Sequence, residues 1–269
     1  KPEIMVALSD FWLLHGFLER NKLIKNLEQT KELNFLKEIF LDKGFAGLYK
    51  LVMNYSQNEV NNILQPLVDR LLPLYRAGKL PKSDPGYWAA KAVDTSADKT
   101  ILDKGIYSIY FFNIVNVSKG EAVFQDAGIP LAYLERQNIA LMANSDNVLR
   151  GGLTKKHVDV NELIKHISFT ETIPNILKGD LQKDNLERVF VTPAPDFELS
   201  EIIIPVHKVY KSISKTPQIL LLLDGEVEIM ENGNLLKLTK GKSVFLKANC
   251  NYKIIATKKA TIYKAKVGS

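Results

Sequence analysis

The sequence predicts an α+β protein, a helical block followed by a β-barrel or sandwich, and three observations carry that reading. Apolar residues keep helical spacing through most of the first hundred or so positions, and β-branched and aromatic runs take over after them. An Asn232-Gly233 pair then sits between two such runs, and both residues tolerate the positive φ of a tight hairpin turn.

In order along the chain, Ser9 or Asp10 is expected to cap a short helix carrying Leu13, Leu14, Phe17 and Leu18, and Leu33, Leu36, Ile39 and Phe40 keep the same spacing in the next. Ser56 and Glu59 form a capping box, and the stripe Val60, Ile63, Leu64, Leu67, Val68, Leu71 and Leu72 follows it to a stop at Gly78. Pro66 and Pro73 interrupt the stripe and are expected to kink or divide that helix. A short helix is predicted around 88–93, strands over 107–117 and 122–124 about a Lys119-Gly120 turn, and a brief capped helix over 159–166. Beyond Val189, strands are predicted over 197–206, 219–223, 227–231, 235–238, 243–246, 252–256 and 261–267.

The composition excludes several classes. Of the 269 residues, 46% are hydrophobic and 25% charged, which is globular rather than disordered. The longest apolar runs, 202–206 and 219–223, fall far short of the roughly 20 residues that span a bilayer, so no membrane association is expected. A net charge of +6 is spread through lysines interleaved with Asp and Glu, a solvated surface rather than a nucleic-acid footprint. Cys250 stands alone, so neither a disulfide framework nor a multi-thiolate metal site is available, and a reducing, cytoplasmic setting is expected. The first residue is Lys1 with no signal peptide ahead of it, which suggests a piece of a longer chain. Oligomeric state is not legible in the sequence.

Residues 131–156, LAYLERQNIALMANSDNVLRGGLTKK, resemble the second signature of the type I mannose-6-phosphate isomerases, a zinc-dependent cupin family. That signature begins His-Ala-Tyr, has Gly and Glu five and nine positions after the His, and runs through Met-Ala-x-Ser-Asp-Asn and an Arg to Thr-Pro-Lys. Here Leu131, Arg136, Ala140 and Lys155 replace the His, Gly, Glu and Pro, while MANSDNVLR at 142–150 is intact. The opening Lys1-Pro2-Glu3, with GEAVF at 120–124, DAGIP at 126–130 and GKSVF at 241–245, extends the resemblance over most of the chain.

The resemblance implies cupin-type β-barrel or jelly-roll elements with an inserted α-helical domain, in the C-terminal two-thirds of a usual family member. On that mapping 1–8 are a remnant of the first cupin, 9–104 the helical domain, 105–187 the returning part of the first cupin, and 188–269 the second cupin. It implies the interconversion of mannose 6-phosphate and fructose 6-phosphate by metal-assisted proton transfer through an enediol. Zinc would be held by a Gln, a His, a Glu and a second His. Glu3 maps onto the ligand Glu, Leu131 occupies the place of the second His, and the first two ligands would lie upstream of Lys1. Arg150 maps onto the catalytic arginine, with Lys1, Tyr133 and Lys156 onto substrate-binding positions. None of His15, placed in a predicted helix, or His157, His166 and His207 has metal-pair spacing. With Leu131 and Ala140 removing a ligand and a carboxylate, the chain is expected to hold no stoichiometric zinc and to be inactive alone. A non-catalytic cupin module that binds a sugar phosphate or serves in assembly is the alternative.

Overall fold

The computed structural model describes residues 1–146, 148–154 and 156–268. The chain opens with strands β1 (Glu3–Ala7) and β2 (Phe11–Phe17) and continues through helices α1 (Arg20–Gln29), α2 (Phe35–Asn54), α3 (Gln57–Arg76), α4 (Pro85–Asp94) and α5 (Gly105–Phe111). It returns to strands β3 (Phe112–Val117), β4 (Ala122–Gln125), β5 (Leu131–Glu135) and β6 (Asn138–Met142). Helix α6 (Val160–His166) and the short strands β7 (Ile176–Leu177) and β8 (Asp180–Leu181) follow. The rest is β: β9 (Glu187–Phe190), β10 (Glu198–Ile204), β11 (Val209–Ser214), β12 (Gln218–Glu231), β13 (Asn234–Thr239), β14 (Ser243–Leu246) and β15 (Cys250–Lys266).

The architecture is α+β, as expected, with helices α1 to α5 inserted between β2 and β3, which pair with each other from Phe11 opposite Val117. Three sheets are formed: β6-β1-β4-β7, β3-β2-β5, and a larger one ordered β13-β12-β15-β10-β9-β8 with β11 on β15 and β14 on β12. They are compatible with cupin jelly rolls, although among the described residues none closes into a barrel.

Strand β1 is apolar at every position after Glu3 because both of its faces are covered. Met5 and Ala7 pack with Phe11, Leu13, Val115, Val117 and Val123 between the two smaller sheets. Ile4 and Val6 point the other way, into a cluster with Phe190, Phe197, Leu199 and Tyr263 of the larger sheet. Each such side chain contributes roughly 1.5–3 kcal/mol by leaving water. Strand β2 divides in the same manner, Leu13 facing the sandwich and Leu14 and Phe17 joining the helical core of Leu23, Phe40, Val52 and Leu64.

Strand β2 corrects the helix expected over 9–18. Its apolar spacing fits a helix only because a strand buried on both faces is a continuous apolar run. The strand expected from Tyr107 is corrected in the opposite sense: Gly105–Phe111 is a helix with every residue buried, and burial rather than strand propensity accounts for its aromatics. Helix α3 runs unbroken through Pro66 and Pro73, against expectation. Both prolines lie on its exposed face, where the carbonyls they deprive of a donor remain open to water. The break falls instead in α2, at Gly44 with φ 63°. The capping box forms: Ser56 N–H donates to the Glu59 carboxylate at 2.7 Å and Glu59 N–H donates to Ser56 Oγ at 3.3 Å.

Asn232 and Gly233, with φ of 48° and 81°, make the hairpin between β12 and β13. The strands expected at 219–223 and 227–231 are one strand, irregular near Gly225, and those at 252–256 and 261–267 are likewise one. At Gly225 (φ 94°) a Cβ would lie 2.3 Å from the Lys259 carbonyl, so only glycine lets the two long strands cross there.

Two charged networks tie elements together. Glu135 on β5 accepts from Lys82 at 2.7 Å and from Lys91 of α4 at 2.5 Å, linking the helices to the small sheet. Inside the larger sheet, Glu187 pairs with Lys264 at 2.6 Å and accepts from Tyr210 Oη at 2.7 Å, both charged side chains being nearly inaccessible.

Two predictions follow from these networks. Lys264→Ala, which leaves Glu187 buried and unpaired, is expected to cost about 3–5 kcal/mol in denaturant unfolding, a loss that Lys264→Met with Glu187→Leu largely restores. Burial raises the Glu135 carboxyl, but the two lysines outweigh it and hold it down to about 2. Because the folded value is depressed, the contribution of Glu135 is complete above the ordinary carboxylate range of roughly 4.5 and fades as pH falls toward the folded value. The stability difference between the parent chain and Glu135→Gln is therefore expected to shrink in unfolding curves measured from pH 6 down to pH 3.

Candidate functional site

The site is built on the inner faces of β1, β5 and β6. Glu3 stands opposite Gln125 of β4 on one side and Met142 of β6 on the other, and alternation along β1 puts it on the same face as Met5 and Ala7. Tyr133 is paired with Leu13, whose side chain belongs to the same interior, and this carries the phenol across to Glu3. The Tyr133 hydroxyl donates a short hydrogen bond to Glu3 Oε1, and its ring meets Phe11 edge-on with centroids 5.3 Å apart. Burial, then the Glu3 carboxylate, pushes the phenol well above its ordinary pKa, so it remains a donor at neutral pH.

A cleft of about 1590 Å³ opens over this face toward the helices, with Lys1, Glu3, Leu131, Tyr133, Met142 and Arg150 on its wall. The structure thus brings together four of the residues singled out from sequence: Lys1, Glu3, Tyr133 and Arg150. Lys1 Nζ donates to the Ser145 carbonyl at 2.9 Å. Arg150 is partly exposed and makes no salt bridge with a described carboxylate. Lys156 is exposed and does not line the cleft. Lys155, one of the replaced signature positions, lies outside the described residues.

Leu131 stands beside His15 in the β2–β5 register, 36% exposed to the cleft. Ala140, opposite Met5, is exposed as well. Arg136 has φ 87°, in the region costly for a residue with a Cβ by roughly 1–2 kcal/mol. Its side chain turns back to Glu135 at 3.1 Å instead of entering the cleft.

His15 is not the helical residue expected. It is 4% exposed on β2, both ring nitrogens are buried without a hydrogen-bond partner among the described residues, and burial lowers its pKa, favouring the neutral ring. His166 bonds Glu162 at 2.8 Å at the end of α6, His157 is exposed, and His207 sits in a turn with φ 61°.

Sequence reasoning missed two residues of this interior, Gln125 and Asn138. Gln125 is 1% exposed with both amide atoms unpaired, and Asn138 Nδ2 is likewise buried and unpaired among the described residues. The polar end of an otherwise apolar AVFQ strand was the only available sign of Gln125, and its inward aim depends on the pairing with β1.

Zinc sites are made of three or four N, S or O donors. At this one Leu131 offers none, the Glu3 carboxylate is engaged by Tyr133, and among the described residues no three of His, Cys, Asp or Glu come together. The residues present do not fit a zinc ion.

No family model matches the chain. Curated relatives do: mannose-6-phosphate isomerase 2 of Arabidopsis thaliana is 28% identical over 288 residues, covering 100% of this chain and 64% of that protein. Mannose-6-phosphate isomerase of Escherichia coli K12 is 28% identical over 265 residues, covering 93% and 62%. The chain therefore spans a little under two-thirds of the length of these relatives. Among solved structures, mannose 6-phosphate isomerase of Salmonella typhimurium bound to fructose 6-phosphate and zinc superposes with a TM-score of 0.82 at 23% identity, over 100% of this chain and 66% of that one. Its apo form gives the same score. The fold is that of the phosphomannose isomerases, and the sequence likeness runs along nearly the whole chain. Along nearly its whole length the chain is similar to mannose-6-phosphate isomerases, and it shares their fold.

Proposed function

We propose that this chain binds a hexose 6-phosphate in the cleft over β1 and β5 without isomerising it. The carrying observation is the hydrogen bond from Tyr133 to Glu3 beside Leu131: the carboxylate that resembles a metal ligand is satisfied by a phenol, and the neighbouring ligand position is aliphatic. Zinc would polarise the sugar oxygens where a family member holds it. The donors of this cleft do not fit it.

The remaining groups suit binding. Arg150 presents a fixed positive charge with no described carboxylate to neutralise it, matched to a phosphate dianion. Lys1 adds a second cation on the same wall, and Glu3 and Tyr133 face the space a sugar would fill. A carboxylate at position 140 could have taken up a proton during enediol formation; Ala140 cannot. The second reading, an active isomerase, is favoured by the retention of Lys1, Glu3 and Arg150 on one cleft.

Two measurements separate these readings. The purified chain is expected to carry less than one zinc per molecule and to show no detectable turnover of mannose 6-phosphate; one zinc per chain, with turnover abolished by a chelator, overturns the proposal. Arg150→Ala is expected to weaken mannose 6-phosphate about tenfold in calorimetry, the loss of one charge-assisted contact. Unchanged affinity removes Arg150 from the site.

A further inference from the structure

Arg150 lies in a stretch, 148–154, that forms no helix or strand, so its place on the cleft wall depends on what that stretch is fastened to. Two anchors flank it. Leu149 packs on the helical core immediately before it, and beyond it the Leu153 N–H donates to Asp103 Oδ1 at 2.9 Å. The same oxygen accepts from Gly105 N–H at 2.7 Å, so a single carboxylate oxygen joins the loop to the start of α5. The two backbones meet there with no room for side chains. A Cβ on Gly152 would lie 2.6 Å from Gly105 N and 2.7 Å from Asp103 Oδ1, and a Cβ on Gly105 would lie 2.6 Å from Leu153 N. Gly152 also has φ 105°, a backbone conformation open to glycine and costly to a residue with a side chain.

We propose that Asp103 is a positioning residue of the cleft, holding the 151–153 backbone against the start of α5 so that Arg150 is in place to meet a phosphate. Asp103 acts through Arg150 and touches no ligand in this role. Its bond to Gly105 N–H would suit a residue that merely begins a helix, but the bond to Leu153, 50 residues away, and the glycine at 152 do not follow from that. A guanidinium already held in position does not have to be ordered by the ligand, and that ordering otherwise weakens binding. Charge acts with the opposite sign. Asp103 lines the cleft, and a carboxylate there repels a phosphate dianion, so its removal would tighten binding if charge were its only effect. The proposal rests on the sugar-phosphate reading above and adds what fixes the cation in that site.

The test is calorimetry with mannose 6-phosphate on the parent chain and on Asp103→Ala, Asp103→Asn, Gly152→Ala and Arg150→Ala, with thermal unfolding to show that each is folded. Asp103→Ala is expected to weaken binding about fivefold, most of what the loss of Arg150 itself removes. Asp103→Asn, whose amide oxygen can accept from both N–H groups, is expected to restore affinity to within about twofold of the parent. Gly152→Ala leaves every charge in place and forces the two backbones apart, and is expected to weaken binding about as much as Asp103→Ala. In an Arg150→Ala background, adding Asp103→Ala is expected to change affinity by less than about twofold, because no guanidinium is left to misplace; a merely structural aspartate would lower both backgrounds alike. If Asp103→Ala does not fold, Gly152→Ala with and without Arg150→Ala takes its place in that comparison. Tighter binding in Asp103→Ala, unchanged binding in Gly152→Ala, or an equal loss with and without Arg150 overturns the proposal, and the sugar-phosphate reading then stands on Arg150→Ala alone. Unchanged affinity in Arg150→Ala overturns it together with the role given to Arg150, and a parent chain that binds no mannose 6-phosphate overturns both readings.

Discussion

Strand β1 is the constraint on which the rest of the structure depends, because it is buried on two sides by different cores. Ile4 and Val6 belong to the cluster that includes Phe190 and Phe197, while Met5 and Ala7 belong to the interior shared with Phe11 and Val123. A one-residue slip would exchange these sets and place Glu3 in an apolar contact, so the register is fixed by the full hydrophobic pattern. That register also puts Glu3 at the mouth of the inner face, between Met142 and Gln125, where the cleft begins. The same interaction that joins two β units therefore aims the carboxylate.

Strand β2 extends the logic to the helices. Leu14 and Phe17 enter the helical core while Leu13 and His15 turn inward, so one strand positions the helical wall of the cleft and the β5 wall bearing Leu131 and Tyr133. The Glu135 bridges to Lys82 and Lys91 fasten the other end of β5 to the helices. The cleft is held open between elements that are each anchored elsewhere, so the fold does not depend on the residues inside the cleft.

The carboxylate inside the cleft does not stand alone, since an unpaired carboxylate on a partly buried sheet face is costly. Here the Tyr133 phenol satisfies Glu3, with neutral Gln125 and Asn138 nearby in place of further charges.

How much of this was legible in the sequence depended on the range of the physical signal. The Ser56–Glu59 box and the Asn232-Gly233 turn are closed by atoms within four residues of one another, and both form as read. The intact run 142–150 carried the resemblance, which mapped Glu3, Tyr133 and Arg150 onto site positions, and all three line one cleft. The segments 9–18 and 107–111 were misread in opposite directions, since an apolar run has the same letters whether a strand is covered on two faces or a helix is covered all round. Pro66 and Pro73 were misread because they were counted within the apolar stripe, whereas they lie on the side of the helix that faces water. The residues alone carried the resemblance, the class of fold and the residue types at the signature positions. That Tyr133 closes on Glu3, with Gln125 and His15 buried behind them, was settled by tertiary packing, because those contacts join strands far apart in the chain, whose pairing is set by burial on both of their faces.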